Sequence, residues 1–425
     1  MPKFIRNIIQ GAVSVHANMF LPKNIQRRIS EKKFVETVKN AVSDVPFYRQ
    51  RFAEAGISAG DIHSLNDIQK LPFLSKEDVR NNFPENIVSK KFNINECYYS
   101  ATTGSTGRSL PIIFSAKTFA YYLTTSLRVY TLVGYRPWHK IAYIKYTKVE
   151  TPDLGPFFKT IHIPSIERIE EQIKKLKNSR ANILTGYASI ILELAKNVLT
   201  EDLREINLKF ISVNSEMSTK SQRDYISNVF NCPVYDEYST EETWMIASQC
   251  RAGSYHIFSD NVWIEFLDKD GRNVKPGETG EIIITTLNSP AMPLIRYKIG
   301  DLGVPGKANC SCGCGFQVLE SFEGRADDSF VLPDGSFVSS LKLLNTFTMY
   351  IKKYLHLIEE FRIVQRTPEQ VEIELVRGRD YSDVHVQELT ASLSRILGDS
   401  VEIIIRNVDE ITFEGIKRKA IESLV

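Results

Sequence analysis

A run of threonine, serine and glycine residues could bind phosphate. It consists of Thr102, Thr103, Gly104, Ser105, Thr106 and Gly107. Glycines in a tight turn let backbone N–H groups approach anionic oxygens, and hydroxyl groups add donors that carry no charge. Strand-like segments flank the run, which lacks the lysine and the following helix of a P-loop. The pattern therefore predicts either a phosphate loop whose positive charge comes from elsewhere in the chain or an ordinary turn between strands.

A cluster of cysteines could bind a metal ion. Cys310, Cys312 and Cys314 lie close together in the segment "NCSCGCGF", and Cys250 and His256 lie together earlier in the chain. Thiolate sulfur and imidazole nitrogen are the ligands of tetrahedral zinc sites, and four protein ligands close the coordination shell. The cluster therefore predicts a structural zinc site, with free buried thiols as the alternative reading.

The length and composition restrict the class of protein. The chain has 425 residues, 43% of them hydrophobic and 24% charged, so we expect two or three domains with ordinary cores. A net charge of +2 does not favour nucleic acid or an anionic membrane as a partner. No apolar run reaches the length of a membrane span, and the N-terminal stretch resembles an amphipathic helix more than a signal peptide. We expect a cytoplasmic protein with reduced thiols.

The pattern before residue 300 predicts a large domain of β-sheets flanked by helices. Residues 1–95 are predicted to be mainly helical, with Ser75 as the N-cap of one helix. From 96 to 250, strand-like runs such as "KIAYIKYT" alternate with helical runs such as "SIERIEEQIKKLKNS", which is typical of a parallel α/β layer. Short strands with tight turns between 254 and 300 predict a small β-barrel-like part.

A small α+β domain is predicted at the C-terminal end. A hairpin-like segment, "DSFVLPDGSFV", comes first. A helix at 340–354, strands at 360–365 and 371–376, a helix at 383–397 and a strand at 401–406 are predicted after it. Because this unit could fold independently, we predict domains of residues 1–326 and 327–425. The predicted fold class is multidomain α/β.

Four motifs, in order along the chain, resemble those of adenylate-forming enzymes, which include acyl-CoA synthetases and adenylation domains. The threonine- and glycine-rich run resembles their phosphate loop, and "YSTEE" at 238–242 resembles Tyr-Gly-x-Thr-Glu with Ser239 in place of glycine. "RYKIGD" at 296–301 resembles Arg-Tyr-x-x-Gly-Asp, and "GRADD" at 324–328 resembles the linker motif between the large and small domains. "VPFYRQRF" and "LPFLSKEDVRNNFP" resemble the helical start of phenylacetate–CoA ligases and their capsule-locus relatives.

The resemblance implies roles for the matching residues. Tyr238 would stack on adenine, and Asp301 would accept hydrogen bonds from the ribose hydroxyls. Glu242 would hold Mg²⁺, with Glu241 left open as the alternative. The other implied nucleotide contacts are Ser215, Glu216 and Asp236 in the adenine pocket and Arg325 at the ribose or phosphate. Asp327 would be the hinge about which a small, mobile C-terminal domain rotates.

The same resemblance selects a ligand set from the cysteine cluster. Phenylacetate–CoA ligases often carry zinc in a Cys…His…Cys-x-Cys pattern, whose last cysteine lies twelve residues before the glycine of the linker motif. Cys312 and Gly324 have this spacing. The implied zinc ligands are therefore Cys250, His256, Cys310 and Cys312. Cys314 is the spare cysteine and could replace either neighbour.

The catalytic lysine of the family has no strict counterpart here. Adenylation brings an anionic carboxylate to an anionic phosphate, so a cation is needed where charge builds up. In the family, a lysine that follows a glycine near the C-terminus supplies it. The residue after Gly415 is Ile416, and Lys417 is one place further on. Either Lys417 reaches the site through a local shift, or the lysine has been lost.

The predicted function is ATP-dependent activation of a small carboxylic acid to an acyl-adenylate, followed by transfer to a thiol such as coenzyme A. One alternative is transfer of the acyl or aminoacyl group to an amine or hydroxyl acceptor in polysaccharide or natural-product biosynthesis. Another is a non-catalytic nucleotide-binding scaffold. The implied cofactors are ATP and AMP, Mg²⁺, structural Zn²⁺ and coenzyme A, and a homodimer is possible in this branch. The acid is not identified, although Tyr187 is predicted to line its pocket.

Overall fold

The chain forms two compact units in the computed structural model. The described residues are 15–101, 110–146, 157–306, 310–325, 330–334, 337–338, 340, 343, 347, 357–412 and 420–425. The first unit consists of the described residues up to 139, of residues 157–158, and of the described residues between 235 and 322. The second unit holds the described residues of 140–146, 159–234 and 323–425. No helix within these ranges is long and apolar enough to cross a membrane.

The N-terminal part of the first unit is mainly helical, as predicted. It contains α1 (Lys23–Asp44), α2 (Pro46–Glu54) and α3 (Lys76–Asn82), with 3₁₀ turns at Ala59–Asp61, Leu65–Lys70 and Ile94–Glu96. Ser30, Phe34 and Val38 recur every four residues, so they lie on one side of α1, and this side is buried. The predicted cap of α3 is confirmed, since Ser75 Oγ accepts the Asp78 N–H at 3.0 Å and Asp78 Oδ2 accepts the Ser75 N–H at 2.9 Å.

The threonine- and glycine-rich run lies between two paired strands. Strands β1 (Tyr98–Ala101) and β2 (Pro111–Phe114) are antiparallel, which confirms the predicted strand–loop–strand context. Helix α4 (Ala116–Leu132) follows, and Ser115 caps it by accepting the Thr118 N–H. Its Tyr122 side chain stacks on Trp244, with ring centroids 5.7 Å apart.

The second unit contains the predicted parallel α/β layer. Its elements are β3 (Ile141–Lys145), β4 (Thr160–Pro164), α5 (Ile169–Ser179), β5 (Ile183–Tyr187), α6 (Ala188–Asn197), α7 (Thr200–Leu203), β6 (Phe210–Asn214) and α8 (Lys220–Phe230). The strand order is β4-β3-β5-β6, and each neighbouring pair is parallel. Apolar side chains from one face of this sheet and from α5, α6 and α8 form a single core.

The sheet of the first unit follows in the chain. Its strands are β7 (Val234–Thr240), β8 (Trp244–Gln249), β9 (Tyr255–Ile257), β10 (Val262–Leu267), β11 (Gly280–Thr286), β12 (Tyr297–Pro305) and β13 (Val318–Arg325). They lie in the order β10-β11-β12-β13-β9-β8-β7. The short strands expected between 254 and 300 are present, and they share this sheet with β7, β8 and β13.

The described part of the C-terminal segment follows the predicted order, and most of the helix predicted at 340–354 lies outside the described residues. The hairpin is β14 (Phe330–Val331) and β15 (Phe337–Val338), and β16 (Ile358–Thr367), β17 (Gln370–Arg377), α9 (Asp383–Leu397), β18 (Glu402–Val408) and β19 (Ile421–Ser423) follow. The last four strands form a sheet in the order β18-β17-β16-β19. Val386, Leu389 and Leu393 of α9 belong to the core of this segment.

Candidate nucleotide site and metal centre

Tyr238 and Asp301, predicted from two separate motifs, are hydrogen-bonded to each other. The Tyr238 hydroxyl on β7 donates to Asp301 Oδ2 on β12 at 2.6 Å, and both side chains are buried. The ring of Phe322 stacks on Tyr238, with centroids 4.4 Å apart. The proposed adenine-stacking ring and the proposed ribose-binding carboxylate therefore lie side by side.

Asp236 on β7 is oriented by residues of β8 and β9, the next two strands in the sheet. The Tyr255 hydroxyl on β9 donates to Asp236 Oδ2 at 2.6 Å. The Asp236 N–H donates to Gln249 Oε1 on β8 at 3.0 Å. Asp236 and Tyr238 are two residues apart on β7, so their side chains share one face of the sheet. Sequence reasoning missed Tyr255, whose only signal was that it precedes a candidate metal ligand.

Glu241 and Glu242 lie in the turn between β7 and β8, and their environments differ. Glu242 is buried, and its Oε1 accepts a hydrogen bond from the Tyr297 hydroxyl at 3.1 Å. Glu241 is exposed, and its Oε2 accepts a hydrogen bond from Ser100 Oγ on β1 at 2.7 Å. Ser100 lies just before the threonine- and glycine-rich run. Both carboxylates are thus held in place by hydroxyl donors.

Ser215 and Glu216 follow β6 in the second unit. Ser215 has a left-handed backbone conformation with a φ of 65°, and its Oγ donates to Asn214 Oδ1 at 3.0 Å. Glu216 Oε2 accepts the Ser189 N–H at 2.9 Å, in the first turn of α6. A carboxylate is favoured there by the helix dipole and satisfies one of the unpaired N–H groups of the helix start. The turn that begins at Ser215 is therefore fixed to the first turn of α6.

Several predicted site residues cannot be placed. Thr102, Thr103, Gly104, Ser105, Thr106, Gly107, Asp327, Ile416 and Lys417 lie outside the described residues. The same holds for the side chain of Arg325, whose backbone ends β13. The roles implied for these residues remain predictions.

Cys250, His256, Cys310 and Cys312 lie together in the first unit, and their ligand atoms are all within 4.8 Å of one another. Cys250 Sγ is 3.5 Å from Cys310 Sγ, and Cys312 Sγ is 3.2 Å from His256 Nε2. A tetrahedral ion with Zn–S bonds of about 2.3 Å would require ligand atoms roughly 3.8 Å apart. The donor set and its spacing therefore fit a zinc ion.

The pKa values of this group are shifted in different directions: burial raises the pKa of the Cys312 thiol to about 11, whereas that of Cys310 is lowered. Burial raises the pKa of the Cys310 thiol, but hydrogen bonds from the Cys312 N–H, Ser254 and His256 lower it to about 6. Burial also lowers the pKa of His256, but its interactions with Cys250 and Cys314 raise it to about 12. A thiolate such as that of Cys310 is the form that binds a metal cation, whereas His256 would bind one only as the neutral imidazole.

Cys314 is buried next to the four-residue group. Its N–H donates to Cys312 Sγ at 3.4 Å, and its thiol interacts with His256. His256 Nδ1 is 3.3 Å from the Phe316 carbonyl oxygen, a contact that orients the ring when Nδ1 carries the proton. Cys314 stays the alternative ligand.

Comparison with known proteins supports the resemblance predicted from the motifs. No protein-family model matches this chain. A phenylacetate–coenzyme A ligase from Pseudomonas putida is 25% identical over 368 residues, which is 83% of this chain and 79% of the ligase. Protein CapK from Staphylococcus aureus is 28% identical over 290 residues, which is 64% of this chain and 62% of CapK.

A solved structure has the same fold. A crystal structure of 2-hydroxyisobutyryl-CoA ligase in the postadenylation state, in complex with R3-HIB-AMP, aligns with a TM-score of 0.79 at 17% identity. The alignment covers 95% of this chain and 90% of that chain. The predicted fold class and the predicted similarity to phenylacetate–CoA ligases are therefore confirmed.

Proposed function

We propose that this protein is an AMP-forming acid–thiol ligase that activates a carboxylic acid with ATP and transfers the acyl group to coenzyme A. Its similarity to phenylacetate–coenzyme A ligases and its acyl-CoA ligase fold support this function. The observation that carries the proposal is the buried hydrogen bond between Tyr238 and Asp301. It joins, in one place, the two motifs whose residues would bind adenosine.

The reaction has two steps. A carboxylate oxygen of the acid attacks the α-phosphorus of ATP, and pyrophosphate leaves with its bonding electrons. The thiolate of coenzyme A then attacks the acyl carbon, and AMP leaves as the second product. Both steps bring anions together, so positioning and charge neutralisation provide most of the catalysis.

The described residues would bind the nucleoside. A carboxylate offers acceptors for two ribose hydroxyls, and the Tyr238 hydroxyl fixes the orientation of Asp301. Asp236, held by Tyr255, would face the adenine ring together with Tyr238. The resemblance also implies adenine contacts for Ser215 and Glu216, and Glu216 secures its own turn to α6.

Residues outside the described ranges complete the proposal. Thr102 to Gly107 would donate to phosphate oxygens, Arg325 would contact the ribose or a phosphate, and Asp327 would be the hinge of the C-terminal lid. Lys417 would bring the cation that neutralises the developing charge. Glu242, or Glu241, would hold Mg²⁺, which would supply positive charge to the phosphates of ATP.

The test is acid-dependent exchange of pyrophosphate into ATP, followed by detection of acyl-CoA and AMP after coenzyme A is added. We expect exchange with at least one acid. Asp301→Asn should raise the KM for ATP about 10- to 100-fold, because the charged acceptor for the ribose hydroxyls is lost. Asp270→Asn, in an exposed turn, is the control and should have no effect. Acid-dependent exchange without acyl-CoA formation would point to an amine or hydroxyl acceptor. Absence of exchange with intact ATP binding would support the scaffold alternative.

We also propose that Cys250, His256, Cys310 and Cys312 hold a structural zinc ion. A bound ion would link the end of β8, β9 and the turn before β13. Purified protein should carry about one zinc per chain, and chelation should lower its melting temperature. Cys310→Ser should lower both the metal content and the melting temperature, while Cys97→Ser, at a half-exposed thiol outside the group, should change neither. Metal-free protein with an unchanged melting temperature would contradict the proposal.

A further inference from the structure

A cavity of about 470 Å³ lies in the first unit, next to the cysteine cluster. Four segments form its walls: the turn before α1, the end of α4 with the turn after it, the turn between β8 and β9, and the segment of the last three cysteines. Its lining includes Phe20, Thr131, Arg136, Arg251, Ser311 and Cys312. Clefts that hold small ligands usually measure about 300–1,000 Å³, so a small molecule fits this one.

The cavity and the candidate nucleotide site are associated with opposite faces of the sheet in the first unit. Tyr255 on β9 donates to Asp236 of the candidate adenine pocket, whereas the next residue, His256, belongs to the cysteine cluster. Successive side chains of a strand point to opposite faces of a sheet. Cys312 lines the cavity, and its Sγ is 3.2 Å from His256 Nε2. The cavity is therefore separate from the place where Asp236 and Tyr238 would bind adenosine.

Two arginines give the cavity a positive charge. Neither Arg136 nor Arg251 forms an ion pair with a carboxylate among the described residues, and no acidic side chain of these ranges lines the cavity. Arg136 Nη1 donates to the Tyr135 carbonyl oxygen at 3.1 Å, which uses one of the five N–H donors of its guanidinium. Both guanidinium groups therefore have donors left for an anion.

A glycine makes room for one of these guanidinium groups. Gly134 lies in the turn after α4, two residues before Arg136, and a Cβ atom at this position would clash with Arg251 Nη2. The backbone next to Arg251 is fixed as well, because the Gly253 N–H donates to the Cys250 carbonyl oxygen at 2.9 Å. The Arg251 guanidinium therefore packs against the turn that carries Arg136, which brings the two positive charges to one part of the cavity.

Phe20 provides an apolar surface in the same cavity. Its side chain is 61% exposed, although the backbone before it is held in place. The Met19 carbonyl oxygen accepts the Gly315 N–H at 2.8 Å and Gln26 Nε2 at 3.2 Å. An exposed aromatic ring in a fixed position can stack on a planar ring of a ligand. The cavity thus combines a site for an anion with a site for a ring.

We propose that this cavity is a second ligand site, which binds a phosphate monoester that carries a planar ring. Arg136 and Arg251 bind the phosphate, and Phe20 stacks on the ring. Two guanidinium groups match the charge of about −1.5 to −2 of a phosphate monoester better than the single charge of a carboxylate. Guanidinium donors also fit pairs of phosphate oxygens, and Ser311 adds a hydroxyl donor. This inference goes beyond the proposed function and does not depend on it.

The experiment measures binding of phenyl phosphate to the purified protein by isothermal titration calorimetry in a phosphate-free buffer. Arg136→Gln and Arg251→Gln should each raise the Kd at least about 10-fold, because each removes charge-assisted hydrogen bonds. Arg272→Gln, at an exposed arginine of the same unit, is the control and should leave the Kd unchanged. An unchanged Kd in both cavity variants would mean that phenyl phosphate binds elsewhere and would overturn the proposal. Absence of binding at millimolar concentrations would overturn it too and leave the proposed function intact.

A second probe tests the role of the ring. Inorganic phosphate should bind about 2- to 10-fold more weakly than phenyl phosphate, because it cannot stack on Phe20. Phe20→Leu keeps an apolar side chain but removes the aromatic ring. It should bring the Kd of phenyl phosphate close to that of inorganic phosphate and leave the Kd of inorganic phosphate unchanged. Equal Kd values for the two probes in the unaltered protein would overturn the assignment of Phe20 and the planar ring with it.

Discussion

At the scale of single residues, the motifs predicted which side chains matter but not which of them touch. Asp301 and Tyr238 were found in separate motifs, and nothing in either motif encodes their hydrogen bond. Pairing across a sheet depends on strand order and register, which a linear pattern does not contain. Cys314 remains an alternative to Cys312 for a similar reason. Both lie in one turn and both interact with His256, so spacing alone does not decide between them.

The choice between Glu241 and Glu242 is testable at this scale. If Glu242 holds Mg²⁺, Glu242→Gln should raise the Mg²⁺ concentration for half-maximal pyrophosphate exchange at least about 10-fold, because a charge-assisted ligand is lost. The amide oxygen can still accept from Tyr297, so the melting temperature should change little. Glu241→Gln is the matched comparison and should have a smaller effect. The reverse order of effects would assign the metal to Glu241.

At the scale of elements, the sequence predicted most helices and strands because their periodicity is local. Helix α9 begins and ends at the predicted residues, and the capping box of α3 is visible in four consecutive letters. Contacts that join distant elements have no such signal. Arg128 on α4 and Asp260 in the turn before β10 form a buried, bidentate ion pair, with both N–O distances 2.7 Å. Neither residue belongs to a recognisable motif.

This ion pair makes a specific prediction about stability. Asp260→Asn would leave the Arg128 guanidinium buried without its counter-charge, so we expect a loss of about 3–5 kcal/mol in the free energy of unfolding. Unfolding in denaturant measures this free energy. The control is Asp224→Asn, which breaks an exposed pair with Lys220 and should cost less than about 1 kcal/mol. Arg128→Met added to Asp260→Asn should recover part of the loss. A cost for Asp260→Asn as small as that of the control would contradict the prediction.

The pair also has a defined pH dependence. Burial raises the pKa of Asp260, but Arg128 outweighs this effect and holds the pKa below its ordinary value. A carboxyl group whose folded-state pKa is depressed stabilises the protein above its unfolded-state pKa. The contribution of Asp260 should therefore be complete at neutral pH and be lost only as the pH falls through its depressed folded-state pKa.

At the scale of the whole molecule, the sequence predicted a domain boundary near residue 327, and the described residues from 323 onwards belong to the same compact unit as the parallel sheet. Part of the reason lies in one close contact within the second unit. Met217, in the turn after β6, packs against the core of the C-terminal segment. A Cβ atom at Gly324 would lie 2.6 Å from Met217 Sδ and 2.9 Å from Ser340 Oγ. Periodicity finds where a segment begins but not which neighbour it packs against.

The last prediction tests whether this contact couples the two parts of the second unit. Gly324 has a φ of +93°, so Gly324→Ala should cost about 1–2 kcal/mol in backbone strain and a further ~1–3 kcal/mol in overpacking. Gly56→Ala, at a φ of +69° with no atom within 4 Å of the new Cβ, should show the strain alone. Combining Gly324→Ala with Met217→Ala should remove the part of the overpacking that Met217 causes and leave the contact with Ser340 Oγ, so the double variant should be more stable than the sum of the single losses predicts. Strictly additive losses would mean that Met217 moves aside without cost and that the contact does not hold the C-terminal segment against the turn after β6.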